Sequence, residues 1–331
     1  MQKFLIIQTA FIGDVVLATS LIEKLHDYFP DSQIDFLVRE GNQTLLTGHP
    51  IIRNVLIWNK RNRKLVNLIK LLSKIRFQKY DMVINIQRYL STGLLTAFSG
   101  AARTVGFDKN PLSIMFTKAV RHALPGAIPQ EHEIMRNQKL IADITDDKPA
   151  LPKLYPLPAD QEKVGIFIKK PFISIAPASV WFTKQYPAEK WASFINNTPH
   201  DLEVLLLGSA SDYDLGETIR KTSRNPNIKN LCGKLSYLES CALMKKALMN
   251  YVNDSAPLHF ASAMNAPVAA VFCSTIPSFG YGPLSEFKSI IEIREPLYCR
   301  PCGIHGLSTC PEKHFRCAWD ITDDQLLTAL P

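Results

Sequence analysis

At 331 residues the chain is long enough for two α/β domains, each with its own core. Its 46% hydrophobic and 21% charged composition is that of a globular protein and excludes a fibrous or low-complexity chain. No run of about eighteen apolar residues occurs, so no transmembrane helix is expected.

In chain order, KFLIIQ reads as a buried strand, the turn Thr9-Ala-Phe-Ile-Gly-Asp14 follows, and DVVLATSLIEKLHDYF reads as a helix. The start of the chain lacks the small-residue cleavage pattern of a signal peptide, so a cytoplasmic location is expected. Gly13 permits a tight backbone. Asp14 begins the helix, where the dipole favours a carboxylate; locally it is either a capping aspartate or a reactive one. No G-x-G-x-x-G follows the strand, so no nicotinamide or flavin, and no other cofactor, is expected. Strands QIDFLV and NVLIW come next, then a basic amphipathic helix in RKLVNLIKLLSKIRF, the strand YDMVINI, and a last helix in EHEIMRNQKLIADI.

The net charge of +8 is uneven. Residues 41–80 hold no Asp or Glu, yet carry Arg53, Lys60, Arg61, Arg63, Lys64, Lys70, Lys74, Arg76 and Lys79. Part of this is the solvated face of a helix; the remainder makes a surface attractive to phosphates or anionic lipid. No nucleic-acid-reading motif accompanies it, so nucleic acid is not an expected partner.

Residues 145–170 are rich in proline (Pro149, Pro152, Pro156, Pro158) and lack periodicity, which suits a linker. Beyond it FISIAP, PAEKWASFINN, EVLLLG, DYDLGETIRK, NIKNLCG, SYLESCALMKKA, MNYVN, a helix from about Ser255, and PVAAVFC resume the strand and helix alternation. The expected architecture is α/β, with doubly wound Rossmann-like domains at 1–150 and 171–331 joined by a linker at 151–170.

Loops after the strands carry the candidate chemistry. In Pro177-Ala-Ser-Val-Trp-Phe-Thr-Lys184, the hydroxyls of Ser179 and Thr183 and the ammonium of Lys184 suit a diphosphate, or simply a polar loop. Asp212 ends Leu207-Gly-Ser-Ala-Ser-Asp212, placed for ribose hydroxyls or for a cap. Val252-Asn-Asp254-Ser255-Ala-Pro-Leu-His259 gives a strand end and a helix N-terminus, an anion site with Asp254 and His259 beside it.

Three segments taken together, IGDVVLATSLIEKL, FTKQYPAEKWASFI and NDSAPLHFASAMNAPVAAVF, resemble glycosyltransferase family 9, the ADP-heptose–lipopolysaccharide heptosyltransferases. The resemblance implies a GT-B fold, two Rossmann-like domains facing a cleft, with the acceptor on the first and the nucleotide-sugar on the second. It implies inverting transfer of heptose from ADP-L-glycero-D-manno-heptose to the lipopolysaccharide inner core, or transfer of another sugar, such as a hexose or N-acetylhexosamine, by a relative. A non-catalytic binding protein is the remaining alternative. Asp14 matches the family's general base. Ser179, Lys184, Asp212, Leu235, Asp254, Ser255, Ala256 and His259 match donor contacts, with Leu235 against the adenine. Gly13, Arg61, Arg63 and Lys64 are the acceptor-side candidates. Gln8 stands where relatives carry Lys or Arg, which leaves one active-site cation unaccounted for. No Asp-x-Asp motif is expected to be present to hold a divalent metal, so the donor site is expected to be metal-independent. An acceptor embedded in a membrane implies peripheral contact with the cytoplasmic face of the inner membrane.

Near the C-terminus Cys299, Cys302, Cys310 and Cys317, with His305 and His314 nearby, read as a structural zinc site or as reduced cysteines ordering a loop; disulfides rank below both. The last residues are expected to form a helix that returns toward the first domain.

Overall fold

Two compact units divide the chain, Met1–Tyr155 and Pro156–Pro331. The computed structural model describes residues 1–61, 63–122 and 131–331. In the first unit strands β1 (Lys3–Ile7), β2 (Gln33–Arg39), β3 (Ile52–Trp58), β4 (Met82–Asn85), β5 (Arg103–Phe107) and β6 (Lys118–Val120) form one parallel sheet in the order β3-β2-β1-β4-β5-β6. Its helices are α1 (Ile12–Tyr28), α2 (Lys64–Gln78), α3 (Leu90–Ala97) and α4 (Glu133–Gln138).

The near-continuous apolar runs of β1 and β4 have no polar face to turn outward, so both sides of the sheet must be covered. Leu5, Ile7, Leu37 and Val83 pack beneath Leu68, Leu71 and Ile75 of α2. Helix α1 is buried from Val15 through Leu25. There Thr19 and Ser20 donate to the carbonyls of Val16 and Leu17 at 2.7 and 2.8 Å, and Thr19 Oγ1 also accepts from Lys153 N at 3.1 Å.

The second unit begins earlier than its first strand. Residues 158–165, read from sequence as linker, form helix α5 (Pro158–Gly165), whose Lys163 donates to Glu239 at 2.9 Å. Then follow β7 (Phe172–Ala176), α6 (Ala188–Asn196), β8 (Glu203–Leu206), α7 (Tyr213–Thr222), β9 (Ile228–Asn230) and α8 (Tyr237–Lys246). Glu239 of α8 closes a capping box with Ser236. Next come β10 (Met249–Asn253), α9 (Ala256–Ala263), β11 (Val268–Phe272), β12 (Lys288–Glu292), α10 (Arg316–Trp319) and α11 (Asp323–Leu327). The parallel order β12-β11-β10-β7-β8-β9 repeats the winding of the first sheet.

The terminal helix α11 is packed on the core of the second unit. Asp323 accepts from Ser193 of α6 at 2.5 Å, Tyr251 donates to the Leu326 carbonyl at 3.0 Å, and Leu326 is fully buried in that unit's core. Helix α4 is also shorter than the sequence suggests: residues 139–144 continue in turns.

Candidate active site

In an open doubly wound sheet the strand order reverses at one place, and the loops that leave it diverge to open a crevice. In the first unit that place lies between β1 and β4, and the turn after β1 is the one that carries Asp14. Helix α1 starts at Ile12 with Phe11 as its N-cap residue, so Asp14 is the third residue of the first turn rather than the cap. At that position the dipole still favours an ionised carboxylate, and Asp14 remains half-exposed. Gly13 precedes it in the same turn.

The turn is held from several sides. Asn42 Nδ2 donates to the Ala10 carbonyl at 3.1 Å, and Gln8 Oε1 accepts from Ala10 N at 3.2 Å and from Gln87, which follows β4. Lys60 Nζ reaches the Thr9 carbonyl at 2.8 Å and its hydroxyl at 3.1 Å while lying 4.7 Å from the Trp58 ring. Burial, then Arg39 and Lys64, lower the Lys60 ammonium to a pKa of about 8. Gln8 itself is buried and uncharged, so in this chain the cation beside the turn comes from residue 60. Sequence reasoning counted Lys60 only as part of the basic stretch and did not single out Asn42 or Gln87, because nothing in their local sequence points back to residue 9 or 10.

Arg61, Arg63 and Lys64 are all exposed at the start of α2, and Arg63 is that helix's N-cap residue in a left-handed conformation. No acid lies in the first turn, so α2 opens with positive charge against its own dipole. An anion placed there would relieve that conflict.

In the second unit the reversal lies between β7 and β10, and the two loops leaving those strands are tied together. The fully buried Asn253 donates to the Pro177 carbonyl at 2.7 Å and accepts from Tyr186 N at 3.0 Å. Next to it Asp254 takes Lys184 Nζ at 2.6 Å and the Thr275 hydroxyl at 2.7 Å, both on the same oxygen. Lysine and aspartate are largely buried, so the pair is fixed at the N-terminal end of α9. Ser255 is the N-cap residue of that helix, but its hydroxyl donates to the Asn253 carbonyl at 3.4 Å rather than capping. Ala256 opens α9, and His259 is buried one turn on, its ring 6.5 Å from that of Tyr281.

Two donor-side expectations need correction. Thr183 does not offer its hydroxyl to a ligand: it is 1% exposed, and its Oγ1 accepts from Leu307 N at 2.8 Å and Ser274 Oγ at 2.9 Å. The expected absence of an Asp-x-Asp also does not hold, since Asp212-Tyr213-Asp214 is one, at the start of α7. Asp212 Oδ2 accepts from Ser209 N at 2.8 Å and Ser209 Oγ at 2.6 Å, a capping arrangement within the turn before α7. Among the described residues no group of three or more His, Cys, Asp or Glu side chains is arranged to hold a metal ion. Ser179 and Leu235 are half-buried beyond β7 and β9; Gln185 donates to the Ser179 carbonyl at 2.9 Å.

The four C-terminal cysteines line one cavity of about 190 Å3 together with His314. All are free thiols; Cys299 Sγ lies 3.9 Å from His314 Nε2, and Cys302 donates to the Cys299 carbonyl at 3.3 Å. Burial, then the neighbouring cysteines, push Cys317 up to about 12, so it stays protonated. This loop nonetheless reaches the loop that carries Lys184. Thr183 N donates to Leu307 O at 3.1 Å, and Gly306 is left-handed at φ +76 with Lys184 against it. A Cβ at residue 306 would lie 2.8 Å from Lys184 Cγ. Gly306 therefore sets where the Lys184 stem runs, a role the cysteine spacing could not announce.

Sheet order, loop placement and the charged pair at a helix N-terminus describe a nucleotide-handling α/β protein. The family model for glycosyltransferase family 9 (heptosyltransferase) matches residues 68–306, and the chain belongs to that family. It is 25% identical over 283 residues to the lipopolysaccharide heptosyltransferase 3 of Escherichia coli, covering 80% of this chain and 82% of the relative. Identity is also 25% over 316 residues to lipooligosaccharide heptosyltransferase 2 of Haemophilus influenzae, with 89% of each chain covered. The solved E. coli ADP-heptose lps heptosyltransferase II superposes with a TM-score of 0.81 at 21% identity, across 100% of this chain and 97% of that one. The fold is thus the GT-B fold expected from the sequence, and the chain is a glycosyltransferase.

Proposed function

We propose that this glycosyltransferase moves heptose from ADP-L-glycero-D-manno-heptose to the inner core of lipopolysaccharide by direct displacement with inversion. Asp14 removes the proton of the acceptor hydroxyl as its oxygen attacks the anomeric carbon; the bond from that carbon to the diphosphate breaks and ADP leaves. The supporting observation is the placement of Asp14 in one unit and of the Lys184–Asp254 pair in the other at the strand-order reversal of each sheet.

Lys184 has three N–H donors, so it can keep Asp254 and still donate to a phosphate oxygen. Together with the first N–H groups of α9 it offsets the charge that develops on the leaving diphosphate. In this reading the positive charge comes from the chain, and no divalent metal is invoked. Ser179, Asp212, Leu235, Ser255, Ala256 and His259 surround the nucleotide-sugar, with the Asp212 carboxylate leaving its cap to meet ribose hydroxyls. Gly13, Arg61, Arg63 and Lys64 take the acceptor, whose carboxylates or phosphates suit the cationic start of α2. No helix among the described residues is long and apolar enough to cross a membrane. The protein is proposed to work in the cytoplasm, peripherally on the inner membrane.

Asp14→Ala should lower transfer by about a hundredfold or more, the scale of a lost general base, while calorimetry shows ADP-heptose binding unchanged. A variant as active as the parent removes Asp14 as the base. Binding of a UDP-sugar with no binding of ADP-heptose removes the heptose donor.

A further inference from the structure

Helix α2 has two apolar faces, which a helix on a water-facing surface should not have. The inner one, Leu68, Leu71 and Ile75, is buried against the sheet. The outer one runs at four-residue spacing through Leu65, Ile69, Ser73 and Phe77, with Val66 beside it. Leu65 is 72% exposed, Ile69 65% and Phe77 83%. Edge strand β3 adds Ile57, also exposed. Such a row in water costs hydration free energy along its whole length, and nothing in this chain's core needs it.

Lys70, Lys74 and Lys79 flank the row and are exposed, and residues 41–80 contribute no acid to balance them. That charge selects among the partners able to cover an apolar helix face. A second copy of the same face would set lysine against lysine. An anionic bilayer satisfies both features: apolar side chains enter the acyl boundary while lysine stems reach back to the headgroups.

We propose that the outer face of α2 is a membrane-docking surface that lies in the plane of an anionic lipid bilayer through Leu65, Ile69 and Phe77, held by Lys70 and Lys74. The proposal deepens the peripheral location given above, and its residues are distinct from those assigned to donor, base and acceptor. With α2 in the interface, its N-terminal end, where Arg61, Arg63 and Lys64 stand, is brought to the headgroup level at which a lipid-anchored acceptor is found.

The test is co-sedimentation of the full-length protein with vesicles of phosphatidylcholine alone and of equal parts phosphatidylcholine and phosphatidylglycerol. The parent should bind the anionic vesicles and not the neutral ones. Ile69→Ser with Phe77→Ser, and separately Lys70→Glu with Lys74→Glu, should each weaken that binding about tenfold or more. All four positions are exposed, so both variants should keep the parent's unfolding midpoint and its transfer rate on a delipidated, soluble acceptor. Failure of the parent to bind anionic vesicles overturns the proposal, as does undiminished binding by the serine variant. Loss of transfer on the soluble acceptor in Asp14→Ala bears only on the reaction and leaves the vesicle result untouched.

Discussion

Single side chains in this protein are governed by what burial leaves them to bond with. His49 lies 3.9 Å from Glu23, close enough for an ion pair, yet burial lowers its pKa to about 4. The two observations conflict, and the neutral form is the better description. Glu23 already holds Lys153 at 2.9 Å on one oxygen and the Tyr155 hydroxyl at 2.8 Å on the other. The folded chain thus resists a proton that the unfolded chain accepts near the ordinary value of 6.5. Since the unfolded state then binds more protons, stability is full above about 6.5 and declines as pH falls toward about 4, by up to ~3 kcal/mol. Urea unfolding across that window should show His49→Phe losing less stability than the parent; parallel losses would mean that His49 is not the group responsible. Lys60 obeys the same rule in the same direction: burial, then Arg39 and Lys64, lower its ammonium to about 8 although Thr9 supplies two oxygens to it.

At the scale of elements, the cysteine-bearing segment explains the geometry of a loop far from it in sequence. Thr183 and Leu307 exchange backbone and side-chain hydrogen bonds, and Gly306 leaves room for the Lys184 stem. Gly306→Ala adds a methyl 2.8 Å from Lys184 Cγ in a left-handed residue. It should cost about 1–2 kcal/mol of stability and, by moving Lys184, reduce ADP affinity severalfold. Thr183→Val removes an acceptor from two buried donors and should cost about 1–3 kcal/mol, with ADP affinity less affected. Equal affinity for ADP in Gly306→Ala and the parent, measured by calorimetry, would separate the loop from the donor site. None of this was legible in the sequence, because the spacing of Cys299, Cys302, Cys310 and Cys317 speaks of ligands and says nothing of what the loop touches. The strands KFLIIQ, FISIAP and EVLLLG were legible, since apolar runs of that length between helices have few other folds. Helix α3 and strands β5, β6 and β12 were not. Each is short, β5 and α3 contain glycine, and β6 and β12 are edge strands without buried apolar runs.

For the molecule as a whole, the recurrent strand order means that two similar scaffolds carry different chemistry in the same loop positions. The sequence showed where those loops are, and family resemblance supplied their roles; which hydroxyls face a ligand depended on packing, as Thr183 and Ser255 illustrate. The proposed division of labour between the units, donor on the second and acceptor on the first, has a consequence for ligand linkage. If the nucleotide is held by the second unit alone, ADP stabilises that unit by mass action, about 2.7 kcal/mol at a hundredfold excess over its Kd. Each unit has its own core, so that stabilisation belongs first to the elements around the site. Hydrogen exchange with and without ADP should show new protection in residues 177–187, 208–212 and 253–259, with little change at 8–14. The Gly306 loop should gain protection with the first of these segments, because Thr183 and Leu307 are bonded to each other. Protection confined to 8–14 would place the nucleotide on the first unit and reverse the assignment of donor and acceptor.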